Sequence, residues 1–133
     1  MKALNTNILI RFLVKDDEQQ AQVVYNTFKE AEKSKDVYFI PAVVLLETIW
    51  VLESVYNVAR KEILDAIENL LLLPILSVDG QPAVRAFITS ARKNRIDITD
   101  VLIACFAHYS GCESVLTFDK KAARFELFDL ISG

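Results

Sequence analysis

Glycine is scarce in this sequence, with three in 133 residues. A loop that cradles phosphate with backbone N–H groups, or a dinucleotide fingerprint, needs glycines at fixed spacing, and neither is present. A strained nucleophile elbow of the Gly-x-Ser-x-Gly kind is also missing. The one histidine, His108, lies mid-helix beside Tyr109 and Ser110, where a surface or packing role is expected. Cys105 and Cys112 are the only cysteines and form no Cys-x-x-Cys pair, so zinc spacing is excluded. The plain expectation for both is a reduced, packed thiol. No apolar run reaches the ~18 residues of a spanning helix. The N-terminus lacks the charged, apolar and small-residue pattern of a secretory signal. A soluble cytoplasmic protein with no membrane contact is therefore expected. The net charge of −3 does not advertise nucleic-acid binding by bulk electrostatics, although a local basic rim can coexist with an acidic site.

What is abundant is apolar side chain, at 53% of residues. Soluble domains usually hold about 45–50% with glycine included. The surplus points to apolar surface covered by a partner or a second copy. The length fits one domain over residues 1–133, large enough to bury a core without disulfides or a structural metal.

Along the chain, Lys2–Leu4 is a short start that ends at Asn5-Thr6-Asn7, a turn or cap signal. Helices are expected over Ile8–Val14 and Gln19–Lys33, the second opened by Asp16-Asp17-Glu18 as the helix dipole favours. A strand over Val37–Ile40 precedes Pro41, which suits a helix's first turn. The helix Ala42–Tyr56 is apolar almost all round, so burial is expected. Arg60–Leu73 follows and stops at Pro74. Ile75–Val78 reads as a strand, Asp79-Gly80 as a turn, and Gln81–Lys93 as a helix with Ala83, Phe87 and Ala91 on one face. A helix over Thr99–Tyr109, a strand over Ser114–Thr117, a short turn or helix over Phe118–Arg124 and a last strand over Phe128–Ile131 complete the pattern. Alternating strands and helices predict an α/β fold with a parallel sheet. Sites in such sheets lie beyond the carboxyl ends of the strands, where Asn5 and Asp119 both fall.

Three acids stand in apolar company. Glu47 has Val43, Val44, Trp50 and Val51 three and four positions away, so its carboxylate is expected to be buried. A buried carboxylate needs a cation, a proton or a metal; a structural ion pair is the plain alternative. Asp100 has Ile103 and Ala104 as helical neighbours and is expected to point inward. Asp97-Ile98-Thr99-Asp100 also resembles a capping box, and Asp97 or Thr99 is the better candidate for the cap. Asp119 could be a simple turn aspartate before Lys120-Lys121, with Thr117 able to orient it. Carboxylates gathered at strand ends suit a hard cation such as magnesium, which takes oxygen ligands and keeps several waters.

Four segments together resemble a known family. Leu4-Asn5-Thr6-Asn7-Ile8 looks like the opening of a PIN domain, usually Leu-Asp-Thr-Asn. Leu46-Glu47-Thr48, Ile98-Thr99-Asp100-Val101 and Leu116-Thr117-Phe118-Asp119 resemble its second, third and fourth motifs, in order and across the whole chain. Size and short termini are similar to the VapC toxins of bacterial toxin–antitoxin pairs. The resemblance implies a PIN-like three-layer α/β/α fold with a central parallel sheet of four or five strands. It implies an endoribonuclease toxin that hydrolyses RNA, often a structured RNA such as a tRNA, with one or two Mg2+ or Mn2+ ions. It also implies a homodimer and a VapB-type antitoxin. By motif, Asn5, Glu47, Asp100 and Asp119 are the catalytic and metal positions, with Thr6, Asn7, Asp97 and Thr117 in support. Arg11, Lys15, Arg92, Lys93, Arg95, Lys120, Lys121 and Arg124 are candidate RNA contacts, with solvated surface charge the plain alternative for each.

The sequence departs from the family at Asn5, where an amide replaces the first carboxylate. Weaker metal binding and little or no nuclease activity are expected, with the fold retained. The competing reading is a non-cleaving PIN-like module that binds RNA or protein. A magnesium phosphatase or receiver ranks below it, because Asn5 and Asn7 stand where an Asp-x-Asp opening would be needed.

Overall fold

The structure, a computed structural model, describes residues 1–132. The chain divides into two compact units, Met1–Asp79 and Gly80–Gly133. In the first, β1 (Lys2–Ala3), β2 (Tyr38–Ile40) and β3 (Leu76–Val78) form a sheet in the order β1-β2-β3, with α1 (Thr6–Leu13), α2 (Glu18–Ser34), α3 (Ala42–Ser54) and α4 (Arg60–Leu71) between them. Both pairings are parallel: Lys2 lies opposite Tyr38, and Ile40 opposite Val78. Parallel neighbours need a crossover, which the helix pairs α1–α2 and α3–α4 provide. In the second unit, α5 (Gln81–Lys93) and α6 (Ile98–Tyr109) precede β4 (Val115–Thr117), a 3-10 turn (Ala122–Arg124) and β5 (Phe128–Leu130). β4 and β5 pair in parallel, with Thr117 opposite Leu130. Among the described residues all strand pairing is thus parallel, as expected for this α/β class, with five strands that pair as three and two.

Helical periodicity explains the cores. Leu9 and Ile10 of α1, Val24, Phe28 and Ala31 of α2, Leu45, Ile49 and Leu52 of α3, and Ile63, Leu64, Ile67 and Leu70 of α4 are buried. Each of the larger side chains among them contributes about 1.5–3 kcal/mol. The α4 stripe belongs to the core of this unit. In the second unit Ala83, Val84, Phe87 and Ala91 of α5 and Val101, Leu102 and Cys105 of α6 are buried. Gly80 sits before α5 at φ +65°, and a Cβ there would come within 2.6 Å of the Phe106 ring, so the Asp79-Gly80 turn requires glycine. Among the described residues, no helix is long and apolar enough to cross a membrane.

Two expectations fail. The helix α3 is not buried all round: Val43 is 74% and Trp50 54% exposed. Glu47 lies on that same face and is exposed rather than buried. The reason is angular. Neighbours three and four apart share one face, whereas positions two apart lie about 200° round the helix. Val43, Glu47 and Trp50 form the outer stripe, while Leu45, Ile49 and Leu52 form the core stripe. Weighing only the apolar character of Glu47's own face said nothing about which way that face points. The second failure is Cys112, which is exposed, whereas Cys105 is packed as expected. It follows the Gly111 turn, beyond the end of α6.

Candidate functional site

In the first unit the β1 strand runs out at Ala3, and Asn5 becomes the N-cap of α1. Its backbone is extended (φ −85°, ψ 162°) and its Oδ1 accepts from the Thr6 N–H at 2.8 Å. The helix starts at Thr6, two residues earlier than the apolar period indicates, because this cap satisfies part of its first turn. The cap also fixes Thr6, which is 8% exposed and donates its hydroxyl to the Glu47 carboxylate. Motif one and motif two are therefore joined by a side-chain hydrogen bond spanning 41 positions of sequence.

Glu47 is placed by α3, whose own N-terminus is unusual. Pro41 provides no side-chain cap. Instead the Ala42 N–H donates to Asp79 Oδ2 at 3.2 Å, and the Asp79 N–H returns to the Ile40 carbonyl at 3.0 Å. Asp79, read from sequence only as a turn residue, thus ties the end of β3 to the start of the helix that carries Glu47. Asn5, Thr6, Asn7 and Glu47 line one open cleft of about 380 Å³ together with Arg11 and Tyr56. Arg11 is held there by Gln20 and Asp16, and Asp16 accepts a further bond from Tyr56. Neither Asp16 nor Tyr56 has a local sequence signal for this role, since they meet across 40 positions.

In the second unit Asp97 is the N-cap of α6. Its Oδ1 accepts from the Thr99 N–H at 2.9 Å and the Thr99 hydroxyl at 2.7 Å. Asp100 is then left in the first helical turn, half-buried. Partial burial raises its carboxyl above the ordinary range, and the negative charges of Asp97 and Asp119 push in the same direction. The acids of motifs three and four therefore share one electrostatic neighbourhood. Asp119 follows β4; its N–H donates to Thr117 Oγ1 at 3.0 Å, and its Oδ1 accepts from the backbone N–H groups of Lys121 (2.8 Å) and Ala122 (3.3 Å). Thr117 thereby sets the backbone from which the Asp119 carboxylate projects.

The basic candidates separate by environment. Arg11 is engaged in the cleft, with its side chain 25% exposed. Lys15, Arg92, Lys93, Arg95, Lys120, Lys121 and Arg124 are exposed. Lys121 lends its backbone to the Asp119 turn, which fixes where that turn's side chains begin. Cys105 is no nucleophile: burial raises its thiol, with the Ser90 hydrogen bond opposing in part. His108 is exposed and meets the Tyr109 ring edge-on.

A divalent cation is the group such acids would take. All the candidate donors are oxygens, and the Asp100 carboxyl is raised first by burial and then by the negative charges of Asp97 and Asp119, the part that a hard cation would offset. In donor chemistry the residues fit. Among the described residues, no group of three or more His, Cys, Asp or Glu side chains is drawn together into a ready cage.

The sequence profile described as the PIN domain matches residues 2–127, a span that runs through both units. A protein named VapC ribonuclease, from Aquifex aeolicus (strain VF5), is 26% identical over 121 residues, which are 91% of this chain and 89% of that protein.

Proposed function

Because this chain belongs to the PIN domain family, we propose that it is the ribonuclease toxin of a VapBC-type toxin–antitoxin pair, weakened by Asn5. In this reading it is a single PIN domain that hydrolyses RNA phosphodiester bonds in the cytoplasm, with tRNA a candidate substrate. It acts as a homodimer and is restrained by a VapB-type antitoxin. The observation that carries the reading is the hydrogen bond from Thr6 to Glu47 beside Asn5, which joins the first two family motifs in one cleft. The common electrostatic neighbourhood of Asp100 and Asp119 supports the same assignment for the other two.

Glu47, Asp100 and Asp119 would hold Mg2+ or Mn2+, with Asn5 as a poor fourth ligand. When bound, such a cation offsets phosphate charge and acidifies water. The chain's own residues set the rest. Thr6 holds the Glu47 carboxylate in one orientation. Thr117 and the backbone of Lys121 and Ala122 hold Asp119. Asp97 anchors the helix start that presents Asp100. Exposed Arg92, Lys93, Arg95, Lys120, Lys121, Arg124 and Lys15 provide a cationic rim for the RNA backbone.

Asn5 is the weak point. Its only side-chain oxygen is committed to the Thr6 N–H. The other terminal atom is an amide nitrogen, a donor that disfavours a nearby cation. An aspartate would keep one oxygen on the cap and leave a second for the metal. The test assays the parent and Asn5→Asp chains on tRNA and on total RNA, with magnesium and with a chelator. Magnesium-dependent cleavage by Asn5→Asp, and little by the parent, is expected. A folded Asn5→Asp chain that leaves both RNA samples intact overturns the toxin reading. RNA binding without cleavage in that variant would favour the non-cleaving PIN-like module.

A further inference from the structure

The cleft that holds Asn5 and Glu47 has features that the acidic site does not use. Arg11 is its one cationic lining residue among those described, and Tyr56, Ile10 and Val51 give it an apolar wall. Arg11 Nε donates to Gln20 Oε1 at 2.6 Å, and Nη1 lies 3.4 Å from Asp16 Oδ1. The Tyr56 hydroxyl donates to the other oxygen of the same carboxylate at 2.9 Å. Asp16 thus holds a guanidinium and a phenol at once.

We propose that Arg11 and Tyr56 form a nucleotide subsite of this cleft, Arg11 taking an RNA phosphate next to the scissile one and Tyr56 stacking on a base, with Asp16 as the placeholder that RNA displaces. The inference rests on the ribonuclease reading above and adds the residues that seat its substrate. Arginine presents five donors in a planar fork, and the contacts to Gln20 and Asp16 occupy two of them. The fork matches phosphate oxygens in pairs. The short Gln20 contact keeps the side chain oriented, which lowers the ordering cost when a ligand arrives. The Asp16 contact is long, and that side chain is 46% exposed. An exposed ion pair of this length is weakly held, so a phosphate can replace it at little cost. An aromatic ring lining a cleft is the usual platform for an unstacked base and is tolerant of its identity. The cleft, at about 380 Å³, is shallow and open, so an RNA strand can reach both side chains from solvent.

The experiment is a fluorescence-anisotropy titration of the full chain with a short fluorescein-labelled single-stranded RNA of mixed sequence, across a salt series. Arg11→Ala should weaken binding roughly tenfold and reduce the salt slope by about one phosphate contact. Tyr56→Ala should weaken it roughly fivefold, while Tyr56→Phe, which keeps the ring and loses the bond to Asp16, should bind within about twofold of the parent. Asp16→Asn removes the competing charge and should tighten binding roughly two- to fivefold. A purely structural role for Asp16 gives the opposite sign. The circular-dichroism melt of each variant reports folding, and the conservative Tyr56→Phe and Asp16→Asn changes carry the test if an alanine variant unfolds. A parent chain that binds no RNA overturns the ribonuclease reading and the subsite with it. A parent that binds RNA, with folded Arg11→Ala and Tyr56→Ala chains unchanged in affinity, overturns the subsite alone. Weaker binding by Asp16→Asn overturns the placeholder role.

Discussion

Removing the Thr6 hydroxyl tests whether the bond to Glu47 is a real structural coupling between the first two motifs. Thr6→Val keeps the shape and the burial of a side chain that is 8% exposed and deletes only the donor. A hydrogen bond to an ionised acceptor contributes about 1.5–3 kcal/mol, and a neutral one about 0.5–1.5 kcal/mol. Glu47 is exposed, so water re-solvates its carboxylate once the hydroxyl is gone, and the lower range applies. Glu47→Ala removes the acceptor from an outer helix face, where alanine is a good helix former. Each single change should cost about 0.5–1.5 kcal/mol, and the double change should cost less than their sum by about 1 kcal/mol. Urea denaturation of the four chains gives these values from the midpoints, provided the m-values agree. Independent sites add within about 0.3–0.5 kcal/mol. A coupling inside that margin would mean that Thr6 does not orient Glu47.

Three further outcomes are expected. Asn5→Asp should gain a magnesium-dependent rise in melting temperature that the parent lacks; at tenfold excess over Kd the gain is about 1.4 kcal/mol, or roughly 5 °C, and no difference between the chains would refute a metal role for position 5. Asp100→Asn should stabilise the protein at pH 7 relative to pH 4, because the folded state holds the Asp100 proton more tightly than the unfolded chain. Stability from that group is complete below the ordinary value of 3.8 and is lost as pH rises through the raised folded value; guanidinium melts at both pH values check the sign, and a benefit confined to acid pH would contradict it. Asp79→Ala should cost about 1 kcal/mol, since the Ala42 N–H loses its capping acceptor; an unchanged urea midpoint would show that α3 does not depend on that cap.

The helices and strands were legible because their apolar periods are strong and their boundaries are marked. Gln81–Lys93 was bounded correctly, with the Asp79-Gly80 turn before it, and Pro74 sits beyond the end of α4 as a breaker should. The positions of Asn5 and Asp119 beyond strand ends were legible too, because each follows its strand, β1 or β4, after one intervening residue. The exposure of Glu47 was not. A helix such as α3, apolar on most of its surface, gives the same pattern whichever stripe faces the core, and only the tertiary packing of Leu45, Ile49 and Leu52 decides it. The contacts of Asp79 with Ala42, of Thr6 with Glu47, and of Asp16 with Arg11 and Tyr56 were also invisible in part or whole. Apart from the Asp16–Arg11 contact, they join residues 37 to 41 positions apart, and no local spacing rule reaches that far.

The motif side chains show how an asparagine at position 5 can serve the fold without serving a cation. Asn5, Asp97 and Asp119 each use a single side-chain oxygen to accept backbone N–H groups at the start of a helix or turn. The fold asks each for one acceptor, which asparagine provides as well as aspartate. A cation asks for the second oxygen and for the charge, which asparagine does not have. Substitution by asparagine at such a position therefore separates the two demands. Asp100 is different, because Asp97 already caps its helix and its charge is opposed by burial and by its acidic neighbours. The Asp100 carboxylate therefore carries an electrostatic cost, from burial first and then from Asp97 and Asp119. That cost is what a bound cation would remove, so magnesium should stabilise the Asn5→Asp chain more than the Asn5→Asp/Asp100→Asn double variant.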